Sequence, residues 1–247
     1  MAAEKAYAIV LRCVEFSESS LIVTLFTREF GKIGALAKGA KRPKSPFESA
    51  LDLLTLSRIV FLHKSSEALD LLTEAKLLRR FRPAGHDLSG LYAGYYVAEL
   101  LNELTDENDP APELFDLADE TLRRLSLGEP VQRLLIRFEL GSLRLLGHLP
   151  SLDRCVGCDK AMEVSGRVAF GLLAGGVLCP RCRQGQRQIV SVSAGALRTM
   201  KTLADPDPGR WQRVEIDART LGETRGILNH YLAHHLGHKP RMQRYLG

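Results

Sequence analysis

Up to about residue 80 the apolar positions of the chain recur at a spacing of two; beyond Pro83 they recur at three and four. A period of two marks strands with one face turned inward, and a period near 3.6 marks helices with one buried stripe. Residues 7–15 form an apolar, β-branched run, and Leu21, Val23 and Leu25 alternate with Ile22, Thr24 and Phe26 in a second strand. A turn around Glu29-Phe30-Gly31 leads into residues 32–38, and residues 54–62 and 69–77 supply two further runs. Five short strands in about 75 residues predict a small closed barrel, and the OB-fold is the commonest barrel of five strands.

The helical part begins at residues 88–104, where Leu91, Tyr95, Ala98 and Leu101 share one face. It is followed by helices at 113–127 and 131–146, separated by a loop with Pro110 and Pro112 and by Gly128 and Pro130. In the third helix Leu134, Leu135, Phe138, Ser142, Leu145 and Leu146 face one way. Arg133, Arg137 and Arg144 form another stripe, because offsets of four and eleven residues nearly complete whole turns. Two more helices are expected at 194–203, with Ser193 as N-cap, and at 218–236. The predicted fold class is α+β, with an OB-fold barrel at 1–80 and a helical domain in two parts, 81–150 and 186–247. A small zinc ribbon is inserted between the two parts at 151–185.

That insertion carries the sharpest chemical signal. Cys155-Val-Gly-Cys158 is followed by Cys179-Pro-Arg-Cys182, two C-x-x-C pairs at the separation of a metal-ligand set. Zn²⁺ takes four thiolates in a tetrahedron, and each pair presents two sulfurs from one tight turn. Gly157 sits inside the first turn, Pro180 stiffens the second, and residues 167–170 and 175–178 read as short strands. Four ligands leave no open position for a catalytic water, so one structural zinc per chain is expected. A redox dithiol pair and a catalytic metal are the other readings. Such a small ribbon draws its folding free energy largely from the metal.

Composition narrows the setting. The 247 residues are 45% hydrophobic and 26% charged, ordinary values for a globular protein, and no apolar run approaches the 18 residues of a membrane span. Four of five cysteines in ligand spacing point to a reducing cytosol rather than a disulfide framework, and the first residues do not read as a signal peptide. Cys13, in an apolar stretch, is expected to be a small core residue. The net charge of +5 is modest, so its placement matters more than its size. Lys38, Lys41, Arg42 and Lys44 lie within seven residues, with no acid before Glu48, and Gly39, Pro43 and Pro46 keep the segment irregular. Such a run reads either as a solvated turn or as a phosphate-binding loop at the mouth of a barrel. The barrel context favours nucleic acid. His230, His234, His235 and His238 crowd the end of the last helix, either as metal ligands or as exposed and capping side chains.

Several separated pieces recur in one order: E-S-S-L-I-V-T-L-F-T at 18–27, G-K-I at 31–33, and A-K-G-A-K-R-P-K-S at 37–45. R-F-E-L follows at 137–140, L-L-G-H-L at 145–149, the two cysteine knuckles, and Y-L-A-H-H-L-G-H-K at 231–239. Together they resemble the bacterial RecO family of DNA repair proteins, over nearly the whole chain. The resemblance implies a non-enzymatic protein of the cytoplasm and nucleoid that binds single- and double-stranded DNA and anneals complementary strands. It implies work with RecR and single-stranded DNA-binding protein (SSB) to load RecA. SSB proteins of that kind end in an acidic, aromatic-tipped peptide, which needs an apolar slot with cations at its rim. Arg133, Arg137 and Arg144, beside Leu134 and Phe138, are the expected slot; the plainer reading is a solvated stripe paired with acids such as Glu129. The rival class is a metal-dependent nuclease or other nucleic-acid enzyme with a structural zinc; a two-metal hydrolase needs converging carboxylates. The acids here are scattered or sit in proline-rich loops, and no Walker A pattern occurs.

Overall fold

The computed structural model describes residues 3–47, 49–63, 69–85 and 88–246. It divides by packing into two compact units, residues 1–131 with 241–247, and residues 132–240. The break of periodicity at residue 80 therefore marks a change of element type, while the division by packing comes two helices later.

In the first unit β1 (Ala3–Glu15), β2 (Leu21–Thr27), β3 (Gly31–Ala37), β4 (Leu56–Leu62) and β5 (Asp70–Arg79) close into a barrel in the order β1-β2-β3-β5-β4. All ladders are antiparallel except the short β3–β5 pairing, and β4 returns to β1. This is the OB-fold expected from the pattern. Small residues such as Ala6, Ala8 and Ala35 share the interior with Phe61, Leu25 and Phe47, which lets large side chains meet inside a narrow barrel. Beyond a register shift between Val10 and Arg12, β1 runs out of the core and residues 12–15 are exposed. Cys13 is accordingly exposed, not a core residue; the bulge breaks the alternation on which that expectation rested.

Helices α1 (Ser89–Leu104) and α2 (Pro112–Ser126) belong to the same unit. The Lys32 ammonium donates to the carbonyls of Asn102 (2.6 Å) and Thr105 (2.5 Å), two groups that the end of α1 leaves without helical partners. Gly31, at φ +68°, lies so close to Asp109 that a Cβ would collide with its carbonyl. The G-K-I piece therefore ties β3 to the end of α1. Arg28 grips Asp116 of α2 with two hydrogen bonds of 2.9 and 3.0 Å, and Arg79 pairs with Asp119. A 3₁₀ turn at Arg241–Tyr245 rejoins this unit: the Glu99 carboxylate accepts from the Arg241 and Met242 N–H groups at 2.6 and 2.9 Å.

The second unit holds α3 (Val131–Leu145), a three-stranded sheet and three further helices. The sheet is β6 (Arg167–Gly171), β7 (Gly176–Leu178) and β8 (Ile189–Ser193), ordered β7-β6-β8. The first two strands match the expected ribbon; β8 adds a third beyond residue 185. α4 (Ala194–Ala204) starts where β8 ends, and the Ser193 hydroxyl accepts from the Ala196 N–H at 3.1 Å, the expected N-cap. Glu223 of α6 (Ala218–Leu236) in turn accepts from the Ser193 N–H and hydroxyl, which locks strand, cap and helix together. α5 (Pro208–Trp211) is a single turn. α3 ends in a Schellman motif around Gly147 (φ +77°), with His148 N–H on Leu143 O at 2.7 Å and Gly147 N–H on Arg144 O at 3.2 Å.

Candidate metal centre and nucleic-acid interface

The four cysteines converge. Their sulfurs lie within 4.8 Å of one another, as one group that could hold a metal ion. In the first knuckle the Asp159 N–H donates to Cys155 O (2.7 Å) and the Cys155 N–H to Lys160 O (2.9 Å). Asp159 takes φ +57°, and Arg154 holds it through 2.7 and 2.8 Å bonds to the carboxylate. A Cβ at Gly157 would stand 2.9 Å from Cys182 Cβ, so glycine lets the two knuckles approach. Burial opposes ionisation of Cys155, but the N–H groups of Cys179, Gly157 and Cys158 and the Cys158 thiol overcome it and bring its pKa to about 6. Cys182 goes the other way: hydrogen bonding with the Cys179 and Cys158 sulfurs pushes it up to about 12. Four sulfurs this close do not all ionise by themselves, and a divalent cation among them removes that conflict. The donor set fits a soft or borderline metal with four thiolate ligands and no open position.

The basic loop is irregular, as its glycine and prolines require, and Lys38, Lys41, Arg42 and Lys44 are all exposed. Glu48, which closes the run of cations in sequence, lies outside the described residues. The loop is tethered rather than free. The Lys41 N–H donates to Ser19 O (3.0 Å), the Gly39 N–H to Ser20 Oγ (3.3 Å), and the Ala75 N–H to Pro46 O (3.3 Å). Phe47 is buried in the barrel core just behind it. The E-S-S piece thus supports the loop, a role its sequence did not disclose. Lys41 also pairs with Glu15 at 2.7 Å, which holds the Glu15 carboxyl below its ordinary pKa. Among the described residues Lys38, Arg42 and Lys44 have no ion-pair partner. Phe16, at the β1–β2 hairpin that carries Glu15 and Ser19, is 61% exposed and adds an aromatic surface that periodicity gave no reason to single out.

The arginine stripe is placed otherwise than expected. α3 is buried continuously from Leu134 to Leu143, so Leu134 and Phe138 are core residues and not the floor of a surface slot. Arg137 is 7% exposed; its Nη1 donates to Leu203 O at 2.6 Å, at the end of α4, and its guanidinium lies 5.2 Å from the Trp211 ring centroid. Burial, and then the charge of Arg144, lower its pKa to about 10, so it stays protonated. The stripe is real as geometry, but Arg137 uses it to cap a helix, and Arg133 reaches the Gln212 carbonyl at 3.4 Å. Arg144 opens on a surface groove of about 350 Å³, lined also by Leu149, Leu152, Lys201, Pro206 and the acids Asp153 and Asp205. The periodicity that aligned the arginines could not tell which neighbour would cover them.

The histidines do not form a metal set: among the described residues the four cysteines are the one group of three or more His, Cys, Asp or Glu side chains placed to hold a metal. His230 contacts the Gly226 carbonyl, and His235 packs against His148 with ring centroids 4.3 Å apart and the rings tilted by 50°, its pKa lowered by burial and by its histidine neighbours. The Tyr231 hydroxyl donates to His148 O at 2.8 Å, so the L-L-G-H-L and Y-L-A-H-H-L-G-H-K pieces are packing partners. No described helix is long and apolar enough to cross a membrane.

Comparison with known proteins agrees with this architecture. Residues 1–81 match the family model described as Recombination protein O N terminal, and residues 85–244 match Recombination protein O C terminal. The DNA repair protein RecO of Rhodopirellula baltica is 42% identical over 262 aligned positions covering 97% of each chain. Those of Symbiobacterium thermophilum and Anaeromyxobacter sp. strain K are 36% and 34% identical, over 94% and 98% of this chain and 92% and 95% of their own. Two family models that together span nearly the whole chain, and relatives up to 42% identical over almost their whole length, place the chain in the RecO family.

Proposed function

We infer that this protein is a DNA-binding mediator of recombinational repair, active in the cytoplasm at the nucleoid. It anneals complementary single strands and, with RecR, helps to load RecA onto SSB-coated DNA. The observation that carries this reading is the basic loop: three cations without an ion-pair partner among the described residues, on a tethered, irregular segment of an OB barrel, next to an exposed aromatic side chain. Cations on such a loop neutralise phosphates without reading bases, and stacking tolerates any sequence. Annealing then requires only that two strands be held with reduced mutual repulsion; no bond is made or broken. The metal is one structural Zn²⁺ held by Cys155, Cys158, Cys179 and Cys182.

The protein is not an enzyme under this reading. A two-metal nuclease needs carboxylates converging on open coordination positions, and the described acids form no such group. For the SSB tail the groove at Arg144 is the better location than the middle of α3. It offers apolar walls, with Arg144 and Lys201 to meet carboxylates; of its own acids, Asp153 pairs with Lys201 at 2.5 Å and Asp205 with Arg210 at 2.9 Å. Two assays test the whole proposal. Labelled complementary oligonucleotides, bare and SSB-coated, should anneal faster with the protein, and labelled DNA incubated with Mg²⁺ or Mn²⁺ should stay intact. Cleavage, or no acceleration on either substrate, refutes it.

A further inference from the structure

On the side of the barrel formed by β1, β4 and β5, alternate residues point outward because Ala6, Ala8, Ser57, Ile59 and Ala75 point in. Two cross-strand rungs result: Lys5 beside Val60 beside Glu74, and Tyr7 beside Arg58 beside Lys76. Lys5, Arg58 and Lys76 line an open groove of about 460 Å³ with Val60, Glu74 and Pro46. Strand spacings of about 4.8 Å and rungs roughly 7 Å apart put the Cα positions of the three within about 12 Å of one another. Among the described residues none of the three has an ion-pair partner, and Glu74, one rung from Arg58 and Lys76, pairs with neither.

Arg58 and Lys76 are direct cross-strand partners. Like charges placed opposite one another destabilise a sheet. Among the described residues neither Arg58 nor Lys76 has an ion-pair partner, and Glu74 stands one rung away, so the face carries a local electrostatic cost that a bound polyanion would offset. Two further features say which polyanion. Pro46 lines the groove and accepts a hydrogen bond from the Ala75 N–H, so the basic loop runs directly onto this face. Tyr7, 45% exposed beside Arg58, offers a ring for base stacking.

We propose that the outer face of β1, β4 and β5 is a second track for a single nucleic-acid strand, continuous with the basic loop through Pro46. Lys5, Arg58 and Lys76 neutralise phosphates there and Tyr7 stacks on a base. This rests on the reading of the chain as a DNA-binding protein, and it assigns residues that neither the loop nor its sequence motif includes. Glu74 and Glu29, whose carboxylate accepts from the Tyr7 N–H at 3.0 Å, border the track.

The test compares five full-length proteins: wild type, Lys5→Ala/Arg58→Ala/Lys76→Ala, Lys38→Ala/Arg42→Ala/Lys44→Ala, the combination of the two, and Tyr7→Ala. Fluorescence anisotropy follows their binding to labelled oligo(dT) across a salt series, with melting temperature as the folding control. Each triple variant should lower the slope of log K against log salt by about 2, from roughly 0.7 per contact. The six-residue combination should lose both increments. Tyr7→Ala should cost roughly tenfold in affinity, with the slope unchanged, because stacking releases no counterions. If the loop variant flattens the slope and the Lys5/Arg58/Lys76 variant does not, the second track is refuted while DNA binding stands. If wild type itself fails to bind oligo(dT), the underlying reading fails. Competition by inorganic phosphate or poly-glutamate as effective as by unlabelled oligo(dT) would assign the face to a small anion or an acidic protein, and overturn the proposal.

Discussion

Arg137 illustrates how much a side chain's role depends on what covers it. Its guanidinium satisfies the Leu203 carbonyl at the end of α4 and rests against Trp211, in a place where an unpaired carbonyl would be buried. Removing a charged hydrogen bond of this kind costs about 1–3 kcal/mol, so Arg137→Ala should lower stability by that amount in urea denaturation. Arg144 is seven residues further along the same face and opens on the groove instead. Arg144→Ala should leave the denaturation midpoint unchanged and weaken an SSB tail peptide severalfold in anisotropy. If Arg137→Ala proves as stable as wild type, or if Arg144→Ala binds the peptide normally, the division of labour along the stripe is wrong.

Among the elements, the ribbon depends most on something other than its own packing. Its sheet is short, and the two knuckles meet through sulfurs whose ionisation conflicts, with Cys155 near 6 and Cys182 near 12. Metal binding supplies folding free energy of order 10 kcal/mol in small thiolate domains, more than this sheet can supply alone. Purified protein should contain one equivalent of zinc per chain. Cys182→Ser should reduce it and make residues 151–185 sensitive to protease. Gly157→Ala should weaken zinc retention against a chelator, because its Cβ meets Cys182. In all of these, oligo(dT) binding should persist, since the loop belongs to the other compact unit. Full zinc content in Cys182→Ser would remove that residue from the ligand set.

For the molecule as a whole, the excess charge of +5 matters through where it sits. Lys41 pairs with Glu15, whereas Lys38, Arg42 and Lys44 have no ion-pair partner among the described residues. Glu15→Gln should therefore raise affinity for single strands at low salt and steepen the salt dependence, the opposite of the effect of loop alanines. Lys41→Ala should flatten the slope less than Arg42→Ala. Equal effects of Lys41→Ala and Arg42→Ala, with none from Glu15→Gln, would mean the ion pair does not persist in solution; exposed pairs are individually weak.

Local pattern and composition determined by themselves most of the elements and the convergence of the four cysteines. Alternation over the first eighty residues specified five strands, because a two-residue period allows only one set of side chains to face inward. The paired C-x-x-C spacing specified four converging sulfurs, because each knuckle is a tight turn whose geometry is set within a few residues. Gly39, Pro43 and Pro46 kept the basic loop irregular and exposed for equally local reasons. Tertiary structure decided what no local rule contains: which neighbour meets each face. It turned Arg137 inward and buried Leu134 and Phe138, it led Cys13 out of the core past a bulge, and it set β8 beside the ribbon. It also set the register of the antiparallel β4–β5 pair, which puts Arg58 opposite Lys76, two residues eighteen positions apart. Periodicity specifies that a face is special; long-range pairing alone specifies what that face touches.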